Sequence, residues 1–334
     1  MKKNLVSALK RIGGTLMLPV IMYLAMMWLC YANGKMYFGT DKMWRTLIVD
    51  IAVSISCAMG IGLQFKNGRF DFSGGAIMLL SAIIAGNIAR NMDNNLGLMV
   101  VLCVVCCVVF SLLVALFYVL ARVPIIITTI GFALLYESIT CLVFDGTGIN
   151  IISNMTLRKF ATYPAVIWPL IGVIALYAIY SYLTTSGRQA TLLANNQQSA
   201  VNIGIKENRN VIVSYVFSGL IFGLATVIWI AKAKHDAAYS SMMTVGQLFS
   251  NILPVFIGLM LARFCGDTIG IIMGSITLCL LSYALNAVFA STLGSAISNI
   301  CMGSFILIIN VVNAQGRNML KAIGKLLKKG VSGT

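Results

Sequence analysis

Carboxylates set within apolar sequence are the groups in this chain that could do chemistry at the highest local cost. A charge held at the middle of a bilayer costs roughly 2.5–3.5 kcal/mol, so such a residue faces a cavity or a partner. Glu137, in Leu134-Leu135-Tyr136-Glu137-Ser138, is the deeper of two. It either pairs with a basic residue of a neighbouring helix or lines a path for a solute. Asp50 stands near the start of its apolar run and either reaches the interface or belongs to the same path. A third polar element is Gly68-Arg69-Phe70-Asp71-Phe72-Ser73-Gly74-Gly75. Glycine permits backbone conformations closed to other residues. A broken helix here would offer Asp71, Ser73 and the backbone at Gly75 to a polar substrate. The alternative is a polar hairpin turn with Asp71 as the helix N-cap.

Enzyme chemistry has little support. No G-x-x-x-x-G-K-[ST] loop occurs, so the chain shows no means of hydrolysing ATP itself. The one histidine, His235, has no second histidine near it and falls in a loop, where a surface role is expected. Cys103, Cys106 and Cys107 form a tight cluster, but in an apolar run without histidine or carboxylate. Buried cysteine behaves there as a small hydrophobe. No catalytic residue, metal site or cofactor is expected. The formal charge of +15 is assigned to Lys and Arg beside a membrane rather than to nucleic-acid binding.

The elements that must position these groups follow from composition. The 334 residues are 59% hydrophobic and only 10% charged, against about 25% charged in soluble domains. Ten apolar runs read as membrane helices at 14–32, 46–65, 70–89, 96–121, 123–144, 164–185, 211–231, 246–262, 268–289 and 293–313. A bilayer span needs about 20 apolar residues. A β-barrel would alternate polar and apolar residues, whereas these runs are continuously apolar, so the fold class is an all-α integral membrane protein. The first run follows Lys2, Lys3, Lys10 and Arg11 but is too long for a signal-peptide core and is kept as a span. With the N-terminus inside, sixteen Lys and Arg fall inside and eight outside. That asymmetry puts both termini and the polar stretch 186–210 in the cytoplasm. Glycines four apart, Gly219 with Gly223 and Gly266 with Gly270 and Gly274, are expected to bring helix backbones close. A polytopic transmembrane domain over 1–313 is followed by a basic tail, 314–334, whose Met319, Leu320, Ile323, Leu326 and Leu327 recur at helical spacing. Such a tail suits an anionic membrane surface.

The longest polar gap carries the clearest motif: Ser186-Gly-Arg188-Gln, then Leu193-Ala194-Asn195-Asn196, Ala200 and Asn202-Ile203-Gly204-Ile205. Lys206, Arg209, Tyr215, Ser218 and Gly219 follow it. This resembles the cytoplasmic coupling loop of ABC importer permeases of the ribose-type sugar family. The resemblance extends over about residues 45 to 313. The family's G-G-I-D-L-S-V-G-S element is met by Gly68, Asp71, Ser73 and Gly75, with Arg69 in place of a glycine and Phe70 and Phe72 in place of aliphatics. Where the family tends to carry Arg-Gly, this chain has Glu137-Ser138, and little of the family's G-G-T-S-L-A-G-G stretch survives at Gly258 to Asp267.

The resemblance implies a multi-pass protein of the bacterial plasma (inner) membrane, importing a monosaccharide or similar small polar solute. It implies three partners besides the lipid bilayer: cytoplasmic ABC ATPase subunits, a second permease copy or paralogue, and an extracytoplasmic substrate-binding protein. Arg188, Ala194, Asn195, Asn196, Ala200, Gly204 and Ile205 would form the ATPase-coupling surface, and Asp50, Asp71, Ser73, Gly75 and Glu137 the translocation path. In that reading Gly204 ends a short helix in a left-handed conformation, and Ile205 plugs a pocket on the ATPase. A nucleoside or branched-chain amino-acid permease, an ion-coupled secondary transporter and a non-transporting membrane scaffold stay open as alternatives.

Overall fold

An apolar run in a bilayer must satisfy its own backbone donors and acceptors, and the helix is the local solution. The computed structural model describes residues 2–35, 39–289, 296–297, 299–305 and 307–308. Its helices are α1 (Lys2–Ala32), α2 (Asp41–Lys66), α3 (Gly74–Asn91), α4 (Leu96–Ala121), α5 (Ile125–Leu142) and α6 (Ile167–Ala178), then α7 (Thr185–Asn195), α8 (Gln197–Asn202), α9 (Glu207–Trp229), α10 (Val245–Cys265) and α11 (Asp267–Val288). The α4 bounds are those expected from the sequence. The one extended pairing among the described residues is an isolated bridge between Ile149 and His235.

Among the described residues seven helices are long and apolar enough to cross a membrane. The number rises to eight if α6, extended by the π-helical turn Ile179–Leu183, and α7 form one span bent by 72°. The expected ten is not reached among the described residues. α3, with only 18 residues that include Gly74, Gly75, Gly86, Asn87 and Arg90, is not among the seven. The run 293–313 lies in part, and the tail 314–334 wholly, outside the described residues.

Two helices organise the rest. α2 and α9 pack together and are enclosed on most sides, while α1 and α4 lie at the periphery. Along α4, Cys103, Cys107, Ser111 and Val114 turn inward, whereas Val101, Val105, Val109, Leu116 and Leu120 stay exposed on a face suited to a bilayer. α4 meets α9 where glycine makes room. A Cβ on Gly223 would lie 2.6 Å from the Cα of Val104, and one on Gly219 2.8 Å from the Cα of Val108. In the seam of α10 and α11, Gly270 and Gly274 face Gly258 and Pro254. Gly266 is not part of that seam: with φ +83° it makes the turn between the two helices.

Candidate functional site

The polar stretch 186–210 folds as two short helices, and local capping explains both. Thr184 Oγ1 accepts from the Gly187 amide at 3.0 Å to start α7. Asn196 Oδ1 accepts from the Ser199 amide at 3.0 Å to start α8. α8 ends as foreseen at Gly204, with φ +94°. The Gly204 amide donates to Val201 at 2.9 Å and the Ile205 amide to Ala200 at 3.1 Å, closing the paired bonds of a Schellman turn. Its hydrophobic contact is also present, since Ile205, Ala200 and Leu193 are buried together. Ile205 therefore turns inward and does not project towards a partner, and Ala200 is equally enclosed. The surface includes Arg188, Ala194, Asn195, Asn196 and Gln197 with three apolar side chains, Leu192, Val201 and Ile203, that were not among the expected coupling residues. Ile203, 72% exposed, is the most prominent. Its signal was its place one residue before a helix-ending glycine.

This helix pair is tied to the bundle by the other polar element. Gly68, with φ +73°, brings its backbone against α7, where an added Cβ would sit 2.7 Å from the Cα of Ala194. Asn67 Nδ2 donates to the Tyr180 hydroxyl at 2.8 Å. The buried Arg69 guanidinium donates to Asn210 Oδ1 at 2.9 Å and Ser214 Oγ at 3.0 Å, both on α9. Asn210 Nδ2 in turn donates to the Ser186 carbonyl of α7 at 3.0 Å. Lys66, ending α2, pairs with Asp267, opening α11, at 2.7 Å. The turn that contains an arginine instead of a glycine thus joins α2, α7 and α9.

From Arg69 the chain runs back into the bundle in extended form. Arg69 lies beside Asn210, whereas Gly74 packs against Phe222. Those positions are about 18 Å apart along α9 at 1.5 Å per residue. α3 therefore begins within the bundle rather than at its edge. Asp71 is not its N-cap. Ser73 holds that position, and Asp71 Oδ1 accepts from the Ser73 amide at 2.7 Å and its hydroxyl at 2.6 Å, an Asx-type turn. Gly75 lies against Thr244, where an added Cβ would be 2.8 Å from the Thr244 carbonyl oxygen.

Thr244 also receives Glu137. The carboxylate accepts from the Thr244 amide, the Thr244 hydroxyl and the Met242 amide, each at 2.7 Å. These groups stand at the N-terminus of α10. No basic residue partners Glu137 among the described residues. The expected ion pair is replaced by a carboxylate capping another helix, where the helix dipole and free amides both favour negative charge. The same helix, α5, fixes the loop before α10 through Thr140 Oγ1, which accepts from the Ala238 amide at 2.9 Å. Gly75 and Glu137 are thereby brought together around Thr244. Asp50 is elsewhere, at the far end of the bundle, paired with Lys232 at 2.6 Å. His235 is not a surface residue. It is 7% exposed and packs against Trp229 with ring centroids 3.7 Å apart and planes tilted by 32°. Burial holds its imidazole below the ordinary histidine range.

Comparison with known proteins agrees with this architecture. The family model described as branched-chain amino acid transport system / permease component matches residues 43–310. The L-arabinose transport system permease protein AraH of Escherichia coli (strain K12) is 24% identical over 141 residues, and so is that of Shigella flexneri. Each match spans 40% of this chain and 40% of the relative's length. No solved structure matches.

Proposed function

This chain belongs to the permease-component family of the branched-chain amino acid transport system, and on that premise we propose that it is the membrane-spanning subunit of an ATP-driven ABC importer. The observation that carries the reading is the way α7 and α8 join exposed apolar side chains to the core. Leu192, Val201 and Ile203 face outward, while Gly68, Asn67, Arg69 and Asn210 connect the same helices to α2, α6 and α9. A partner closing on that face moves the spans as a body, which is what alternating access requires. The partners are two cytoplasmic ATPase subunits, a second permease copy and an extracytoplasmic binding protein, in a bacterial inner membrane with both termini cytoplasmic.

The cargo is a monosaccharide or similar small polar solute, in line with the relative that carries L-arabinose in its name. An ion-coupled carrier is disfavoured because both carboxylates it would use are already partnered, Asp50 by Lys232 and Glu137 by the α10 N-terminus. The test is co-purification with the ATPase, followed by hydrolysis with and without solute. Ile203→Asp is expected to insert and fold normally but to lose ATPase retention. Intact association and uptake in Ile203→Asp and in Gly204→Val would remove α7 and α8 as the docking element.

A further inference from the structure

At the end of the bundle away from α7 and α8, a cleft of about 690 Å³ opens between α2, α10 and α11. That volume falls in the range of small-molecule sites, about 300–1,000 Å³. Each helix turns a polar stripe into it at the 3-and-4 spacing that marks one helical face. α2 supplies Asp50 and Ser54. α10 supplies Gln247, Ser250 and Asn251, followed by Pro254. α11 supplies Ser282 and Asn286. Three helices that are otherwise apolar thus converge their polar positions on one space. Ser54 is the fourteenth of the 26 residues of α2, so the cleft reaches the middle of the span. Transport sites lie near that depth.

The chemistry of the walls selects a ligand class. Every charge at the rim is already neutralised nearby: Asp50 meets Lys232 at 2.6 Å, and Lys234 meets Asp236 at 2.6 Å. What remains are neutral donors and acceptors with spare capacity. Asn251 Nδ2 donates to the Gln247 carbonyl at 2.8 Å and Ser250 Oγ to the Gly246 carbonyl at 3.1 Å. The Asn251 side-chain oxygen and the Gln247 amide have no protein partner among the described residues. Trp229, backed by His235, adds an aromatic wall. A zwitterion with an apolar branch would need separated charges and a greasy pocket. A polyhydroxylated neutral solute needs amides, hydroxyls and an aromatic face.

We propose that this cleft, enclosed within one chain, binds a small uncharged polyhydroxylated solute in the state open to the end opposite α7 and α8. The proposal rests on the permease reading above. The test has two arms on the reconstituted complex with its ATPase. In the first, Asn251→Cys in a background without the native cysteines is exposed to a membrane-impermeant thiol reagent, with L-arabinose, D-ribose or L-leucine as the probe. Modification is expected from the side opposite the ATPase, slowed about fivefold or more by at least one of the sugars and not by leucine. In the second, Asn251→Leu and Gln247→Leu are expected to lower sugar uptake about tenfold with ATPase retention unchanged, the scale of one hydrogen bond left unmade, and Asn251→Gln to restore much of it. Uptake within twofold of wild type in both leucine variants, or absence of protection by either sugar, overturns the proposal, and protection by leucine overturns the ligand class. If a leucine variant fails to insert, the labelling arm decides alone. Loss of ATPase association in the wild-type chain would instead refute the permease reading, and labelling with the chain alone would still decide the cleft.

Discussion

The two ends of this bundle use polar residues in opposite ways. At the end that carries α7 and α8, Asn67, Arg69, Asn210 and Ser214 close on one another and on backbone carbonyls. At the other end, the Gln247 amide and the side-chain oxygen of Asn251 border an open cleft. A closed network resists deformation, because each group moved leaves another unpaired at about 1–3 kcal/mol. An open one costs little to alter but has spare bonds for a ligand. Under the proposed function the first end serves as a lever and the second as a receptor. Substitutions at the first should therefore register as lost stability or coupling, and those at the second as lost transport alone.

The largest effect is expected where a closed polar contact is buried deepest. Glu137→Ala would strand the Met242 and Thr244 amides and the Thr244 hydroxyl, a loss on the order of 3–5 kcal/mol. Thermal unfolding in detergent should show it, and Glu137→Gln, which keeps one acceptor, should lose less than half as much. A variant Glu137→Ala as stable as wild type would show that a closed, buried polar contact does not carry the stability expected of it.

Gly68→Val comes next. The residue combines φ +73° with an α7 backbone 2.7 Å from any Cβ. Strain of about 1–2 kcal/mol for the conformation adds to the displaced contact. The expected result is an inserted chain whose ATPase association falls with its stability. Gly204→Val isolates the first of these terms, because nothing lies within 4 Å of its Cβ position. It should cost about 1–2 kcal/mol and stay the milder of the two by limited proteolysis of the 186–210 stretch.

How much of this could be read from the residues depended on what kind of partner each one has. Helices made of continuous apolar sequence were legible, α4 to the residue, because burial and backbone satisfaction point the same way. Gly204 was legible because a helix end needs a residue that tolerates φ above zero. The ligands of Glu137 were not, since backbone amides exist at every position and leave no residue type to search for. The inward turn of Ile205 was missed because a Schellman contact and a docking side chain look alike in sequence. Gln247, Ser250 and Asn251 carry a helical period, yet a reading focused on charges passed over neutral side chains.

The smallest effect concerns the wall of the open end and asks whether it too has a closed component. His235 Nε2 lies 3.0 Å from the Trp229 carbonyl, which can only accept, so this nitrogen carries a proton. Burial depresses the imidazole pKa, with the Trp229 carbonyl and nearby Asp236 opposing. A group whose folded pKa is lowered contributes stability that is complete above its unfolded value, about 6.5, and is lost as pH falls through the folded value. Unfolding temperature should therefore be level from pH 8 to about 7 and decline towards pH 5, as the second proton forces the packed ring to charge. His235→Phe keeps an aromatic ring against Trp229 and removes the titration, so its profile should be flatter over the same window. Because the loop is anchored separately by Glu137 and Thr140, sugar uptake at pH 7 should change little in that variant. A profile as steep as wild type would place the acid sensitivity elsewhere, and a large fall in uptake at pH 7 would mean that His235 touches the solute instead of backing the tryptophan.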